Sequence, residues 1–379
     1  MHIVRRSIMA RGWRKVATGV AVATLCVGFV ATSVVAVSQA TAGATNAQAK
    51  SAQVKTQIKV SLILTDWTNP YWIYMAKAAT ADAAKLGILL QTAAGTSGDD
   101  TTSQIDAIDV AIAAGDQGII ITPNGPAVDS AINLAKRRGI YVVGLDSIPS
   151  PPGIVELTYM TNNVQAGQLI GKYAAERLGG KSAVIALLDD VNTEVVPIDV
   201  YRDHGFLEGM GIPVGKANID GFEPKSGHYT AGKGGSYQIA CQLPTLGSTT
   251  MGLSAMETCI TKNSQINLVY AVNEPAAEGA AKALQDAHMK KAIVVTIDGS
   301  CANLPYVAGG KIAATAGQFP GKMASDAVTA MFNLVTKGLK PKPTAGLNYY
   351  NTGTELYTNT PMPGVPSLNS TQAAKTCWG

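Results

Sequence analysis

The sequence is poor in charge, in aromatic side chains and in cysteine. Only 15% of its 379 residues are charged and 6% are aromatic, whereas 46% are hydrophobic, so the chain can bury a large core. Beyond residue 15 it contains no cluster of lysine and arginine. The formal charge of +4 depends on five basic residues within positions 1–15, and the rest of the chain has a net charge of about −1. We therefore expect no nucleic-acid partner.

The common motifs of catalysis and cofactor binding are also missing. There is no Gly-x-Ser-x-Gly elbow, no phosphate-binding P-loop, and no Gly-x-Gly-x-x-Gly after the first predicted strand. Neither Cys-x-x-Cys nor His-x-x-x-His occurs, and the four histidines are scattered. We therefore expect neither a metal nor another cofactor.

Residues 1–40 have the pattern of an export signal. Basic residues precede the apolar stretch 16–37, and the small-residue ending at positions 38–40 suits cleavage after Ala40. The apolar stretch is also long enough to span a bilayer, so an uncleaved anchor is the alternative. We expect an exported protein, periplasmic or extracellular, in which residues 41–57 form a polar leader.

Four cysteines follow this signal, and an even number in an exported chain indicates two disulfides, although three connectivities are possible. Residues 222–248 lie between a strand predicted near 214–219 and a helix predicted near 251–261. They are rich in Gly, Ser and Thr and lack periodicity, which indicates a functional loop or a disulfide-stapled segment. Cys241 and Cys259 bracket the second half of this segment, which favours the staple.

Short β-branched runs alternate with helical patterns along the rest of the chain, as in βαβ units. One series covers residues 58–160 and a second covers 161–318. The alternation predicts an α/β protein with two Rossmann-like lobes, each a parallel sheet between helices. We assign residues 319–342 to the completion of the first lobe and residues 343–379 to that of the second.

Hydrogen-bonding side chains follow nearly every predicted strand. Because parallel strands align their carboxyl ends, two facing sheets would bring these groups to one cleft. Any single one of them can instead be a helix N-cap. The candidate residues are Asp66, Asn124, Asp146, Asn273, Glu274, Asp298 and Gln318.

The turn after the first strand adds aromatic side chains. Asn69 is a good N-cap and Pro70 suits the first position of a helix, which places Tyr71 and Trp72 in its first turn. Together with Trp67, these side chains would project from the carboxyl end of the strand. The alternative is that the three aromatic residues are core anchors.

The combined chemistry fits a hydroxyl-rich ligand. Carboxylates accept from adjacent hydroxyl groups, amides donate and accept, and aromatic faces stack on the C–H face of a sugar. Arg202, at the start of a predicted helix, would add five fixed donors, with a surface arginine as the alternative. Two carboxylates such as Asp146 and Asp298 could also serve a glycosidase.

Six motifs follow one another along the chain. They are Asn69-Pro-Tyr-Trp72, Gly118-Ile-Ile-Ile-Thr-Pro123, Val143-Gly-Leu-Asp-Ser147, Asn273-Glu-Pro-Ala-Ala-Glu-Gly-Ala280, Ile297-Asp-Gly299 and Ala314-Thr-Ala-Gly-Gln-Phe-Pro320. In this order they resemble the type I periplasmic sugar-binding proteins of bacterial ABC importers, the family of ribose-binding proteins. The runs 298–301, 351–356 and 377–379 look most like the fructose-binding branch. Ser147 and Glu274 depart from the pattern of the aldose binders.

This resemblance implies a monomer that captures a monosaccharide or polyol, fructose or a similar sugar, and presents it to a membrane permease. It implies three crossovers between the lobes, placed near residues 159–163, near Gln318 and near Pro343. It also implies sugar contacts at Asn69, Tyr71, Trp72, Asp146, Arg202, Asn273, Asp298 and Gln318.

We predict that Cys301 pairs with Cys377, which would fix the tail to the ligand side of the second lobe, and that Cys241 pairs with Cys259. The competing functional hypothesis is a secreted carbohydrate-active enzyme, a glycosidase or sugar isomerase that uses Asp146, Asp298 or Glu274. A sugar-responsive repressor of the same architecture would need a DNA-binding head, and residues 1–57 offer an export signal instead.

Overall fold

A computed structural model describes residues 57–149, 151, 153–191 and 196–379. The expected export signal, and the expected leader up to residue 56, lie outside the described residues. The described chain contains two β-sheets with helices packed around them, in the alternating order of an α/β protein. The predicted two-lobed fold class is therefore confirmed.

Lobe 1 comes first along the chain. Its elements are β1 (Ile58–Leu64), α1 (Pro70–Leu86), β2 (Ile88–Ala94), α2 (Thr101–Ala114), β3 (Gly118–Ile121), α3 (Asp129–Arg137), β4 (Tyr141–Leu145) and β5 (Thr158–Met160). β3 is buried along its whole length and β4 is buried beyond its first residue, as expected for a parallel sheet covered on both faces.

Lobe 2 follows directly. Its elements are α4 (Asn163–Leu178), β6 (Ala183–Asp189), α5 (Pro197–Met210), β7 (Ser226–Tyr229), β8 (Gly235–Pro244), α6 (Thr249–Lys262), β9 (Leu268–Ala271), α7 (Glu274–Asp286), β10 (Ile293–Asp298), α8 (Leu304–Ala308) and β11 (Ala314–Gly317). The chain then returns to lobe 1 and ends beside lobe 2. These last elements are α9 (Pro320–Lys337), β12 (Tyr350–Asn351), β13 (Glu355–Tyr357) and α10 (Ser370–Ala373).

The two sheets have related topologies. The six strands of lobe 1 are all parallel, in the order β12-β5-β4-β3-β1-β2. The seven strands of lobe 2 have the order β13-β11-β10-β9-β6-β8-β7, and only the edge strands β13 and β7 are antiparallel to their neighbours. The carboxyl ends of the parallel strands therefore lie along one edge of each sheet, which is where the candidate residues were predicted.

Three connections join the lobes, at residues 161–162, 318–319 and 352–354. The third had been expected near Pro343. Instead Tyr350 and Asn351 pair with Tyr159 and Met160 of β5, so the chain stays in lobe 1 up to Asn351. A strand of only two residues leaves no periodic pattern in the sequence, which is why this boundary was misplaced.

The segment 222–248 contains regular structure that was not predicted. β7 and β8 form a hairpin at the edge of the lobe 2 sheet, whereas the strand expected near 214–219 is absent from the described chain. Tyr237, Ile239 and Cys241 are buried at alternate positions of β8, and this period of two was the available signal.

Both predicted disulfides are confirmed. Cys241 of β8 is bonded to Cys259 of α6, and Cys301 is bonded to Cys377 of the tail, which we define as residues 358–379. The first disulfide joins a strand to the helix that follows it. The second fixes the tail beside the carboxyl end of β10.

Candidate functional site

Tyr71 is placed by the start of α1. The side chain of Asn69 accepts a hydrogen bond from the backbone N–H of Tyr71 at 2.9 Å, and Pro70 occupies the first helical position. The buried hydroxyl of Tyr71 donates to Oδ1 of Asp146 at 2.7 Å. The half-buried ring of Trp72 meets the Tyr71 ring edge-on, with 4.8 Å between the centroids. The predicted cap therefore exists, and it positions a tyrosine against a carboxyl group.

The turn before α1 has a mainly structural role. Oδ1 of Asp66 accepts hydrogen bonds from the hydroxyl and the backbone N–H of Thr68 and from the N–H of Asn69. Nδ2 of Asn124 donates to the carbonyl groups of Thr65 and Ser97. The Trp67 side chain is 43% exposed and lies on the surface of the turn. We assign Asp66 and Asn124 to the support of this turn.

Asp146 directly follows β4 and is buried. Its backbone has a φ of 59°, in the left-handed region that non-glycine residues rarely adopt. This backbone strain at a site residue is typical of functional positions. Burial raises the pKa of Asp146, while the Arg202 guanidinium and the hydrogen bond from Tyr71 lower it. A charge of lobe 2 therefore acts on a carboxyl group of lobe 1.

Arg202 projects from α5 and is nearly completely buried, so it is not a surface arginine. Its Nε donates to Oδ1 of Asn163 at 2.8 Å, and its Nη1 donates to the carbonyl oxygen of Val272 at 2.9 Å. Nη1 also lies 4.0 Å from Oδ1 of Asp298. Burial lowers the pKa of Arg202, but Asp298 and Asp146 outweigh it, so the net change is upward and the group stays charged.

Close packing of α4 against α5 fixes the position of Arg202. A Cβ atom on Gly167 of α4 would lie 2.4 Å from the carbonyl oxygen of Arg202. A Cβ on Gly205 of α5 would lie equally close to the carbonyl oxygen of Val164. Only glycine allows the two helices to approach this closely, so these positions set the depth of the guanidinium in the site.

Asp298 ends β10 and faces the same region. Its Oδ1 accepts from Nε2 of Gln318 at 2.9 Å, and its Oδ2 accepts from the backbone N–H of Glu274 at 3.1 Å. Its φ of 147° is again positive. Burial raises the pKa of Asp298 to about 6, while Arg202 lowers it. Asp298 is therefore both a candidate site residue and an acceptor for the first turn of α7.

Glu274 serves the fold of lobe 2. Its two carboxyl oxygens accept five hydrogen bonds at 2.6–3.0 Å, from the backbone N–H groups of Gly299 and Ser300 and the side chains of Ser300, Asn303 and Thr315. Burial and neighbouring Asp298 raise the pKa of Glu274 to about 8. Five bonds fill the acceptor sites of a carboxyl group, whereas Asp298 accepts only two from the described residues, so we assign Glu274 to the support of Asp298 rather than to a ligand.

Asn273 caps α7. Its Oδ1 accepts from the N–H of Ala276 at 3.0 Å, and its Nδ2 donates to the carbonyl oxygen of Gly247 at 3.0 Å. The amide is half-buried at the edge of the lobe 2 sheet. A ligand that contacts it would do so while Asn273 still caps α7.

Trp378 and Asn163 were missed by sequence reasoning. Trp378 packs against Tyr71 and donates from Nε1 to the backbone oxygen of Asp298 at 2.7 Å. Asn163 orients Arg202. The Cys377-Trp-Gly motif indicated the family resemblance, but nothing in the sequence indicated that its tryptophan contacts the site.

We call the residues that converge between the lobes the interlobe cluster. Lobe 1 supplies aromatic rings and a carboxyl group, and lobe 2 supplies a guanidinium, a carboxyl group, an amide and an indole. Its members are Tyr71, Trp72, Asp146, Arg202, Asp298, Gln318 and Trp378. Oε1 of Gln318 is buried and has no hydrogen-bond partner among the described residues, so it remains available as an acceptor.

A second group of buried carboxyl groups lies on α5 and at the end of β6. Burial and mutual repulsion raise the pKa values of Asp189, Asp199 and Asp203 well above the usual range. Asp199 accepts from the backbone N–H groups of Asp190 and Val191. Neither carboxyl oxygen of Asp203 has a hydrogen-bond partner within the described chain. The folded protein therefore disfavours the charged forms of these three carboxyl groups.

Two general features of the described residues complete this picture. None of their helices is long and apolar enough to cross a membrane. Their histidine, cysteine and acidic side chains form no group of three or more that could hold a metal ion.

Comparison with known proteins gives matches along most of the chain. The family model of the periplasmic binding protein domain matches residues 58–340. The ribose import binding protein of Salmonella typhimurium is 26% identical over 311 residues, which cover 82% of this chain and 93% of that protein. The D-apiose import binding protein of Actinobacillus succinogenes is 28% identical over 284 residues, 74% of this chain and 82% of that protein.

Solved structures show the same fold. A periplasmic solute-binding protein of an ABC transporter from Actinobacillus succinogenes, with bound D-allose, superimposes with a TM-score of 0.67. It is 22% identical to this chain, and the match covers 84% of this chain and 99% of that structure.

Proposed function

Because the chain belongs to the family of periplasmic binding proteins, we propose that it captures a monosaccharide or polyol between its lobes and delivers it to the permease of an ABC transporter. The observation that carries the proposal is the interlobe cluster, in which charges and rings of both lobes converge at the carboxyl ends of their sheets. The import of ribose and D-apiose by related proteins supports the same class of ligand.

The chemistry of the cluster suits a ligand with many hydroxyl groups and no net charge. Asp146 and Asp298 supply acceptors, Arg202 supplies donors and partly neutralises both carboxylates, and the amide of Gln318 supplies both. The rings of Tyr71 and Trp72 present apolar faces that fit the C–H face of a sugar ring. A strongly anionic or cationic ligand would leave one of these charges without compensation.

The proposed direct contacts are the cluster residues, with Asn69 and Asn273 at the edge of the site and Trp67 on its rim. Asp66, Asn124 and Glu274 support the contact residues from behind, because their side-chain hydrogen bonds are made within one lobe.

Fructose or a close analogue is the proposed ligand within this class. The proposal depends on the resemblance of the runs 298–301, 351–356 and 377–379 to the fructose-binding branch. Ser147 supports it, since aldose binders often have an arginine at that position. We further propose that the chain is exported, by means of residues 1–40, and acts as a monomer.

Membership of a non-enzymatic binding-protein family argues against a glycosidase or an isomerase. In addition, Oδ1 of Asp146 accepts a hydrogen bond from Tyr71, and Oδ1 of Asp298 accepts one from Gln318. Both residues are thus arranged as fixed acceptors for a ligand.

Calorimetry with a panel of sugars tests the proposal. The panel should contain D-fructose, D-ribose, D-allose, D-apiose, D-glucose and myo-inositol, with mass analysis of the ligand recovered after binding. We expect micromolar or tighter binding of at least one sugar, which is recovered unchanged. Chemical conversion of the sugar, or no binding to any member, would overturn the proposal. Binding of another sugar in preference to fructose would overturn only the finer assignment.

A further inference from the structure

Trp378 lies where the two lobes meet, although the tail that carries it is attached to lobe 2. Its side chain is only 6% exposed. Its indole N–H donates to the backbone oxygen of Asp298 at 2.7 Å, and its carbonyl oxygen accepts from the N–H of Cys301 at 2.8 Å. The same ring meets Tyr71 of lobe 1 edge-on at a centroid distance of 5.2 Å and lies 6.0 Å from the ring of Tyr74.

The two attachments differ in strength. On the lobe 2 side, Trp378 is held by two hydrogen bonds and by the disulfide between its neighbour Cys377 and Cys301. On the lobe 1 side, it makes aromatic contacts with α1. When the lobes separate, the ring contacts must break, because the disulfide carries the tail along with lobe 2.

We propose that Trp378 is a latch that holds the lobes together before any ligand is bound, and that it also positions Tyr71. Aromatic pairs in edge-on geometry are attractive beyond the apolar area that they bury. This contact stabilises only the closed arrangement of the lobes. It therefore raises the closed population of the ligand-free protein. A ligand that binds the closed form then uses less of its binding free energy to close the lobes.

The positioning role follows from the surroundings of Tyr71. Its ring has two edge-on neighbours, Trp72 at 4.8 Å and Trp378 at 5.2 Å. These neighbours restrict the plane of the ring, and in that plane the hydroxyl reaches Oδ1 of Asp146. Removal of the indole would open space on one side of the ring and weaken this alignment.

The disulfide makes the latch dependent on oxidation. Without the bond between Cys301 and Cys377, the end of the tail is held to lobe 2 by the hydrogen bonds of Trp378 and by packing, and the indole is fixed less firmly. The other disulfide, between Cys241 and Cys259, joins β8 to α6 within lobe 2. It supplies a matched control, because its loss removes a crosslink from the same lobe without releasing the tail.

Small-angle X-ray scattering of the ligand-free protein tests the latch directly. The proteins to compare are wild type, Trp378→Ala, Trp378→Phe, the double variant Cys301→Ser/Cys377→Ser and the control Cys241→Ser/Cys259→Ser. We expect a larger radius of gyration for Trp378→Ala and for Cys301→Ser/Cys377→Ser, a smaller increase for Trp378→Phe, which keeps a ring beside Tyr71, and no change for the control. Circular dichroism establishes that each variant is folded.

An unchanged radius of gyration in both Trp378→Ala and Cys301→Ser/Cys377→Ser would overturn the latch, as would an equal increase in the control. If Trp378→Ala does not fold, the radii of gyration of Trp378→Phe and of the two double cysteine variants still test the latch. The latch rests on the proposed function only in the assumption that the lobes open. Because the scattering experiment needs no sugar, it can support the latch even if no sugar in the panel binds. Equally, a sugar can bind even if the scattering experiment overturns the latch.

Discussion

The hydroxyl of Tyr71 donates a 2.7 Å hydrogen bond to Asp146, and this bond joins the first turn of α1 to the end of β4. Burial raises the pKa values of both groups, and their mutual hydrogen bond favours the charged form of the carboxyl group. The lobe 1 half of the site is therefore assembled before a ligand arrives. The predictions below test which residues of the two halves contribute to affinity and which to stability.

Asp298→Ala should weaken sugar binding by about ten-fold to several hundred-fold. Each lost charge-assisted hydrogen bond is worth roughly 1.5–3 kcal/mol, and ligand donors would be buried without acceptors. The variant should also lose about 1–3 kcal/mol of stability, because Glu274 N–H and Gln318 Nε2 lose their acceptor. Asp298→Asn should lose less of both. Calorimetry and thermal melts measure the two effects, and an unchanged ligand-induced shift in melting temperature for the Ala variant would remove Asp298 from the site.

Sugar affinity should decrease as the pH falls through about 6. The pKa of Asp298 in the ligand-free protein is raised to about 6. Hydroxyl donors of a bound sugar would stabilise its ionised form and lower that pKa, so binding is strongest above it and declines below it, by up to about ten-fold per pH unit. Calorimetry between pH 7.5 and 5 gives the profile. Asp298→Asn should flatten it, and an equally steep profile in that variant would assign the effect to another group.

Glu274→Ala should destabilise the protein by about 3–5 kcal/mol. The substitution leaves five donors around the end of β10 without an acceptor, inside lobe 2. Glu278→Ala, one turn further along α7 and only half-buried, is the control and should change stability much less. Chemical denaturation compares the two. A similar small effect for both variants would mean that Glu274 is free for another role.

Asp203→Asn should stabilise the protein at pH 8 and have less effect at pH 4. The folded pKa of Asp203 is raised well above its ordinary value, so its favourable contribution is complete below the unfolded pKa and is lost as the pH rises through the folded pKa. Asparagine does not titrate and avoids the cost of a buried, uncompensated charge. Denaturation at several pH values measures the difference. Asp109→Asn, on the exposed face of α2, is the control and should change stability little.

Ligand binding should change tryptophan fluorescence, mainly through Trp72 and Trp378. Trp72 is half-buried beside Tyr71 and Trp378 is buried beside it, whereas Trp67 is 43% exposed and makes no aromatic contact with these rings. Trp67→Phe should therefore keep most of the ligand-induced signal, and Trp72→Phe should lose a substantial part of it. A signal that disappears in Trp67→Phe and survives in Trp72→Phe would contradict this placement of the rings.

Local sequence patterns predicted the parts of the fold that depend on local order. The run at 58–65, followed by Asn69 and Pro70, contains everything that fixes the start of α1, so the placement of Tyr71 followed from it. Asp146 and Asp298 were found because a parallel sheet aligns its strand ends. Cys241 and Cys259 were paired correctly because only a short segment separates them.

Contacts between distant parts of the chain were not available in this way. Trp378 reaches Tyr71 across more than 300 positions, and no local pattern records that approach. Glu274 looked like a ligand-binding residue because it follows a strand, and only the positions of Ser300, Asn303 and Thr315 show that its oxygens are already engaged. The hairpin of β7 and β8 was missed because β7 has only four residues, three of them exposed, and leaves no apolar pattern, although β8 alternates buried and exposed positions.

Both disulfides lie in lobe 2 or between lobe 2 and the tail, and residues 58–160 and 319–351 contain no cysteine. The chain-entropy model values loops of 18 and 76 residues at about 3 and about 4.5 kcal/mol. On heating, lobe 1 should therefore unfold at a lower temperature than lobe 2. In the partly unfolded protein, Arg202 and Asp298 of lobe 2 would stay in place without Tyr71 and Asp146 of lobe 1. The site would form again only when lobe 1 refolds against lobe 2. Hydrogen exchange followed by mass spectrometry, close to the melting temperature, would show earlier exchange in β1 and β3 than in β6 and β9.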